Sequence, residues 1–105
     1  MPQRDKRAYL ADVVMAAQLI QDFVAGKTVA EFRSDVLLRS AVERQLEIVG
    51  EAVTQGVRHF PELANEITDA SRIRGFRNRL IHAYAFLDVD VVWGIVEDDV
   101  PRLWD

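Results

Sequence analysis

The sequence predicts an all-α protein, and three observations carry that prediction. Apolar residues recur at alternating intervals of three and four, cap-forming or helix-ending residues stand at the ends of those stripes, and no internal repeat, low-complexity tract or linker interrupts them. The expected form is an antiparallel four-helix up-and-down bundle with an extra short helix, made by residues 1–105 as a single domain. A chain of 105 residues buries one core and leaves roughly a third of its unfolded-chain surface exposed. Half of the residues are hydrophobic and none is cysteine, so a disulfide framework and a cysteine-based metal site are excluded. No apolar run approaches the roughly 18 residues of a membrane span, and the N-terminal Met1-Pro2-Gln3-Arg4-Asp5-Lys6-Arg7 leads into no signal-peptide core. A soluble cytoplasmic protein with no membrane partner is expected.

The first helix is read from Tyr9, Val13, Ala16, Ile20 and Phe23, one buried stripe, with Gly26 as its stop. Thr28 and Glu31 have the spacing of a capping box, but the room before Ser34 allows only about one turn, a connector. Ser34 or Asp35 caps a longer helix whose seam is Leu38, Val42, Leu46, Val49, Val53 and Val57, running to about Arg58. Its other side bears Arg39, Glu43, Glu47 and Glu51 at four-residue steps, with Gly50 beside them. Two readings of that row stand: a solvated face with ion pairs, or a face of which one group meets a functional motif. Gly50 costs helix stability, which fits a close helix contact. Pro61 suits the first turn of a short helix, and His59 beside it reads as a surface residue. Thr68 or Asp69 caps a further helix with core positions Ile73, Phe76, Leu80, Ala83 and Leu87. The last helix starts at Asp88, buries Val89, Val92, Trp93, Val96 and Val100, and is ended or kinked by Pro101.

Function concentrates in Arg77-Asn78-Arg79-Leu80-Ile81-His82-Ala83-Tyr84, an R-x-x-x-x-H-x-Y run. It brings together a guanidinium that grips phosphate oxygens, an imidazole that changes charge between about pH 5 and 8, and a phenol, the parts a metal-free nuclease uses. With Leu80 at zero on a helical wheel, Arg77 and Tyr84 lie about 60° and 40° to one side, and Asn78 and His82 near the opposite pole. Arg77 and His82 are then about 140° apart, so a second helix must complete the site. Two copies across a twofold axis do so economically, and Ile81 and Ala85 are the apolar residues such a homodimer would bury. With two histidines in the chain, no histidine-rich metal site is expected, and neither is a cofactor.

The net charge of −4 argues against tight binding of a long duplex. The distribution argues for local contact with a strand. Arg72, Arg74, Arg77 and Arg79 form one basic segment, while Asp88, Asp90, Glu97, Asp98, Asp99 and Asp105 crowd the C-terminal part. Eleven of the thirteen basic residues are Arg, the type suited to bidentate phosphate contact.

The stretch Ala41-Val42-Glu43-Arg44-Gln45-Leu46-Glu47-Ile48-Val49-Gly50-Glu51-Ala52 resembles the second helix of HepT-like proteins of the HEPN superfamily. Ile73-Arg74-Gly75-Phe76-Arg77-Asn78-Arg79-Leu80-Ile81-His82-Ala83-Tyr84, followed by Asp88 and Val92-Trp93, is similar to that family's defining segment. Family members commonly carry Trp three residues before the position of Ile73. Ala70 stands there instead, a departure that bears on packing rather than chemistry. The resemblance implies a HEPN-like bundle and a metal-independent ribonuclease toxin. Its partner would be a minimal nucleotidyltransferase antitoxin that adenylylates Tyr84.

On that reading the RNA 2′-OH attacks the adjacent phosphate. His82 serves as general base or acid and Arg77 stabilises the transition-state charge. Asn78 holds His82 or a phosphate oxygen, and Arg74 and Arg79 guide the strand. The plain alternatives are ordinary exposed polar residues for Asn78, Arg74 and Arg79, and a structural pair at the dimer interface for Arg77 and His82. The competing function is a catalytically silent helical dimer that binds a nucleotidyltransferase partner or a nucleotide.

Overall fold

Asp5 accepts a hydrogen bond from the backbone N–H of Arg7 at 2.9 Å, and behind this cap α1 (Lys6–Val24) begins. The computed structural model describes residues 4–67, 89–98, 100 and 101. Tyr9, Val13, Ala16, Ala17 and Ile20 are buried along one side of α1, and Phe23 packs half-buried at its end. Gly26 ends the turn with φ +73°, a left-handed conformation that costs glycine no Cβ clash.

The connector is α2 (Val29–Ser34). Its capping box is formed in both directions, Glu31 N–H to Thr28 Oγ1 and Thr28 N–H to Glu31 Oε1, each at 3.2 Å. Phe32 is fully buried and meets Trp93 with ring centroids 5.1 Å apart, so this short helix is a plug in the core as well as a corner. Of the two cap candidates for the long helix, Asp35 is used. Its Oδ1 accepts from Leu38 N–H at 3.0 Å, while the Ser34 hydroxyl donates back to the Glu31 carbonyl at 3.2 Å.

Helix α3 (Val36–His59) spans 24 residues and buries Leu38, Val42, Leu46, Val49, Gly50, Ala52, Val53 and Gly56. Val57, expected in the seam, is only partly buried, and Gly50, expected beside the charged row, faces inward. The later core residues of α1, Ala17 and Ile20, share a cluster with Leu38, Val42 and Leu46. The earlier ones, Tyr9, Val13 and Ala16, share another with Val49, Ala52 and Val53. α1 and α3 therefore run antiparallel.

After Pro61 comes a single turn, α4 (Leu63–Glu66), starting two residues later than Pro61 itself. Leu63 is fully buried against Gly56. The last described helix, α5 (Val89–Asp98), buries Val92 and Val96, and beyond it Val100, with Val89 and Trp93 half-buried. Pro101 lies just past its end, as its missing N–H requires. Among the described residues every regular element is helical, and the fold is all-α. The expected helix over residues 68–87, its caps Thr68 and Asp69 and the Asp88 cap lie outside the described residues.

Candidate active site

Arg74, Arg77, Asn78, Arg79, His82 and Tyr84 lie outside the described residues, as do Ile81 and Ala85, expected at a dimer interface. The described part of the candidate machinery is the row on the outer side of α3. Arg39, Glu43 and Glu47 are half-buried there and Glu51 is exposed, so the row is less solvated than a ladder of surface ion pairs would be. Its pairing also departs from four-residue steps. Arg39 donates from Nη1 to the backbone carbonyl of Arg33, and Glu47 pairs with Arg44, three residues away, at 3.3 Å. Glu43 forms no hydrogen bond or ion pair among the described residues. Burial raises its carboxyl pKa above the ordinary glutamate value, the nearby Arg39 charge lowers it, and Glu47 raises it further.

One turn past the row, the Thr54 hydroxyl oxygen is buried with no hydrogen-bond partner among the described residues. Such an atom calls for an explanation, since buried polar groups are nearly always paired. Nothing in the local pattern marks it: a threonine inside an amphipathic helix is unremarkable until the surrounding packing is known.

Between the first half of α1 and the middle of α3 runs a groove of about 520 Å³ that sequence patterning does not single out. Ile48, Ala52 and Tyr9 line it on the apolar side. On its rim Arg4 pairs with Asp12 at 2.9 Å and lies 4.8 Å from the Tyr9 ring centroid, and Gln55 donates to Glu51 at 3.2 Å. The hydrogen bond to Asp12 holds the Arg4 guanidinium's pKa above its ordinary value. Both arginines that line the groove, Arg4 and Arg44, are paired with a carboxylate, Asp12 and Glu47, so any phosphate there would meet partly neutralised guanidinium groups.

His59, the only described histidine, is exposed at the end of α3 and stacks on Tyr9 with ring centroids 6.2 Å apart. It stands at the surface, as expected from its place beside Pro61. No group of three or more His, Asp or Glu side chains among the described residues is arranged to hold a metal ion. No helix among them is long and apolar enough to cross a membrane.

Comparison with known proteins supplies the context. The model of the family described as ribonuclease HepT-like matches residues 15–105. A protein of Thermococcus cleftensis named a probable ribonuclease HepT is 38% identical over 101 residues, covering 96% of this chain and 91% of its own length. A protein of Methanocaldococcus jannaschii, provisionally named an RNase, is 35% identical over 103 residues, covering 98% and 94%. Another from Caldanaerobacter subterraneus, also provisionally named an RNase, is 30% identical over 97 residues, covering 92% and 86%. No solved structure matches.

Proposed function

The chain belongs to the ribonuclease HepT-like family, and from that membership we propose that it is a toxin-type ribonuclease neutralised by a nucleotidyltransferase antitoxin. Family membership directly supports the ribonuclease activity. The finer reading is carried by one observation: the matched residues include an intact R-x-x-x-x-H-x-Y run, Arg77, His82 and Tyr84.

In this reading the nucleophile belongs to the substrate. His82 accepts the proton of a ribose 2′-OH, the 2′ oxygen attacks the adjacent phosphorus, and the bond to the 5′ oxygen breaks. The departing 5′ oxygen takes up a proton, leaving a cyclic phosphate on one fragment and a 5′-hydroxyl on the other. Arg77 stabilises the charge gathered on the phosphorane-like transition state, where a preorganised donor contributes most. No metal is needed to generate the nucleophile. Arg74, Asn78 and Arg79 hold the strand. Two copies of residues 1–105, each acting as one domain, assemble the site across a dimer cleft, because the helix expected from the sequence would separate Arg77 from His82 by about 140°.

Tyr84 is the control point. Attack of its phenol oxygen on the α-phosphorus of ATP, with pyrophosphate leaving, would place a bulky anionic nucleotide beside Arg77. The cleft would be blocked and an incoming RNA phosphate repelled. A minimal nucleotidyltransferase is the partner that would perform this transfer.

The deciding experiment is cleavage of labelled RNA in EDTA by protein whose intact mass shows Tyr84 unmodified. His82→Ala should lower the rate about 10²- to 10⁴-fold. Arg77→Ala should lower it about 10²- to 10³-fold. Activity unaffected by both substitutions would remove these residues from the site, and activity lost only in EDTA would end the metal-free mechanism. The acidic net charge of −4 favours a second reading, a silent dimer that binds the nucleotidyltransferase or a nucleotide. Unmodified, dimeric protein that cuts none of several RNAs would select it.

A further inference from the structure

Helix α4 is a single turn, too short to hold itself together, so its place is set by what it touches. Three contacts fix it. Leu63 is fully buried over Gly56, its Cδ1 only 3.0 Å from where a Cβ on that glycine would stand. Ile67 is buried in the same cluster as Val49, Ala52 and Val53. From the first turn of α1, Lys6 Nζ reaches Glu66 Oε1 at 2.7 Å and Glu62 Oε1 at 3.6 Å. Glu62 and Glu66 are four residues apart, so both carboxylates face one ammonium.

Ile67 is ten residues ahead of Arg77 in the chain. Whatever orients α4 therefore sets the point from which the chain enters the segment carrying the motif. We infer that Lys6 is a positioning residue: with Glu62 and Glu66 it forms an electrostatic latch that holds α4 on the α1–α3 pair and fixes that entry point. The functional half of this inference rests on the ribonuclease reading. The hydrogen bond to Glu66 keeps the Lys6 ammonium above its ordinary pKa, so the latch stays charged at neutral pH. Its strength is screened by salt, whereas the Leu63 seat is not.

The latch is read by amide hydrogen exchange on the full chain, at Ile67 N–H, which donates to the Leu63 carbonyl at 2.9 Å. In low salt, Lys6→Gln should speed exchange there about two- to five-fold, the scale of an exposed ion pair. Lys6→Arg should restore protection, about 1 M salt should erase the difference between wild type and Lys6→Gln, and Leu46 and Val53 amides should be unaffected. Equal exchange at Ile67 in wild type and Lys6→Gln overturns the latch, whatever the enzyme does.

RNA cleavage tests the second half. Lys6→Gln should lower kcat with KM nearly unchanged, and Lys6→Arg should recover it. A raised KM with normal kcat would make Lys6 an RNA contact and overturn the positioning role, as would an opened α4 with wild-type kinetics. Wild-type protein that cuts no RNA would instead overturn the ribonuclease reading, and with it the positioning role, leaving the latch to be decided by exchange.

Discussion

Where α1 ends and α3 begins, the core is filled by large side chains: Phe32 and Ile20 are fully buried, and Leu38, Leu46, Val92 and Val100 close around them. At the opposite end Tyr9, Leu63 and Ile67 are buried beside small residues. Gly56 in particular lets α3 approach α1 and α4 closely: a Cβ there would stand 3.2 Å from Tyr9 Cβ and 3.0 Å from Leu63 Cδ1. The first end should therefore be hurt by removing volume and the second by adding it.

The largest effect expected from this contrast is Phe32→Ala. It empties a site that α2, α3 and α5 all border, and should cost about 3–5 kcal/mol in urea denaturation. A cost under about 1 kcal/mol would mean that the α2 corner collapses into the space, and the first end would then not depend on volume. Next comes Gly56→Ala. Alanine gains about 1 kcal/mol of helix propensity, but the new methyl must push back Leu63 and Tyr9, an overpacking cost of about 1–3 kcal/mol. A net loss of about 1 kcal/mol is expected, measured by the same denaturation; a gain would show that the second end has room to spare.

The smallest effect lies on the outer side of α3, at Glu43→Gln. Because burial raises the folded-state pKa of Glu43, the stability contributed by its proton is complete below the ordinary glutamate range, near pH 4.3. It is lost as pH rises through the raised value. Glutamine removes that loss, so the variant should be slightly more stable than wild type at pH 7, within about 0.5 kcal/mol, and equal to it near pH 3. A difference that persists at pH 3 would assign the effect to packing instead of charge.

What the sequence made legible follows the physical range of each signal. The core stripes of α1 and α3, the Thr28–Glu31 capping box and the Gly26 stop are local, set by periodicity or by contacts a few residues apart, and they stand where patterning puts them except at the stripe ends, where Phe23 and Val57 are only partly buried. The Gly56 notch is a meeting of Tyr9, Gly56 and Leu63 and leaves no periodic trace. The charged row on α3 misleads for a related reason. Long side chains choose partners by proximity in the fold, so Arg33 reaches Asp90 at 2.6 Å and Arg39 turns to a backbone carbonyl. For the site, sequence reasoning rests on Arg77, His82 and Tyr84 as a motif, while the latch at Lys6 depends on a residue 60 positions from Glu66. No spacing rule couples such distant positions.

The order of the antiparallel pair along the chain also has a temporal meaning. Ribosomes add about 5–20 residues per second, so roughly 30 residues beyond His59 take a few seconds to appear. Helical units with such local contacts fold within microseconds to milliseconds. α1, α2 and α3 hold all their mutual contacts within residues 6–59, and can dock as a hairpin once they clear the exit tunnel. The segment bearing Arg77 and His82 thus follows its scaffold out of the ribosome, and the α1–α3 platform is in place when that segment emerges.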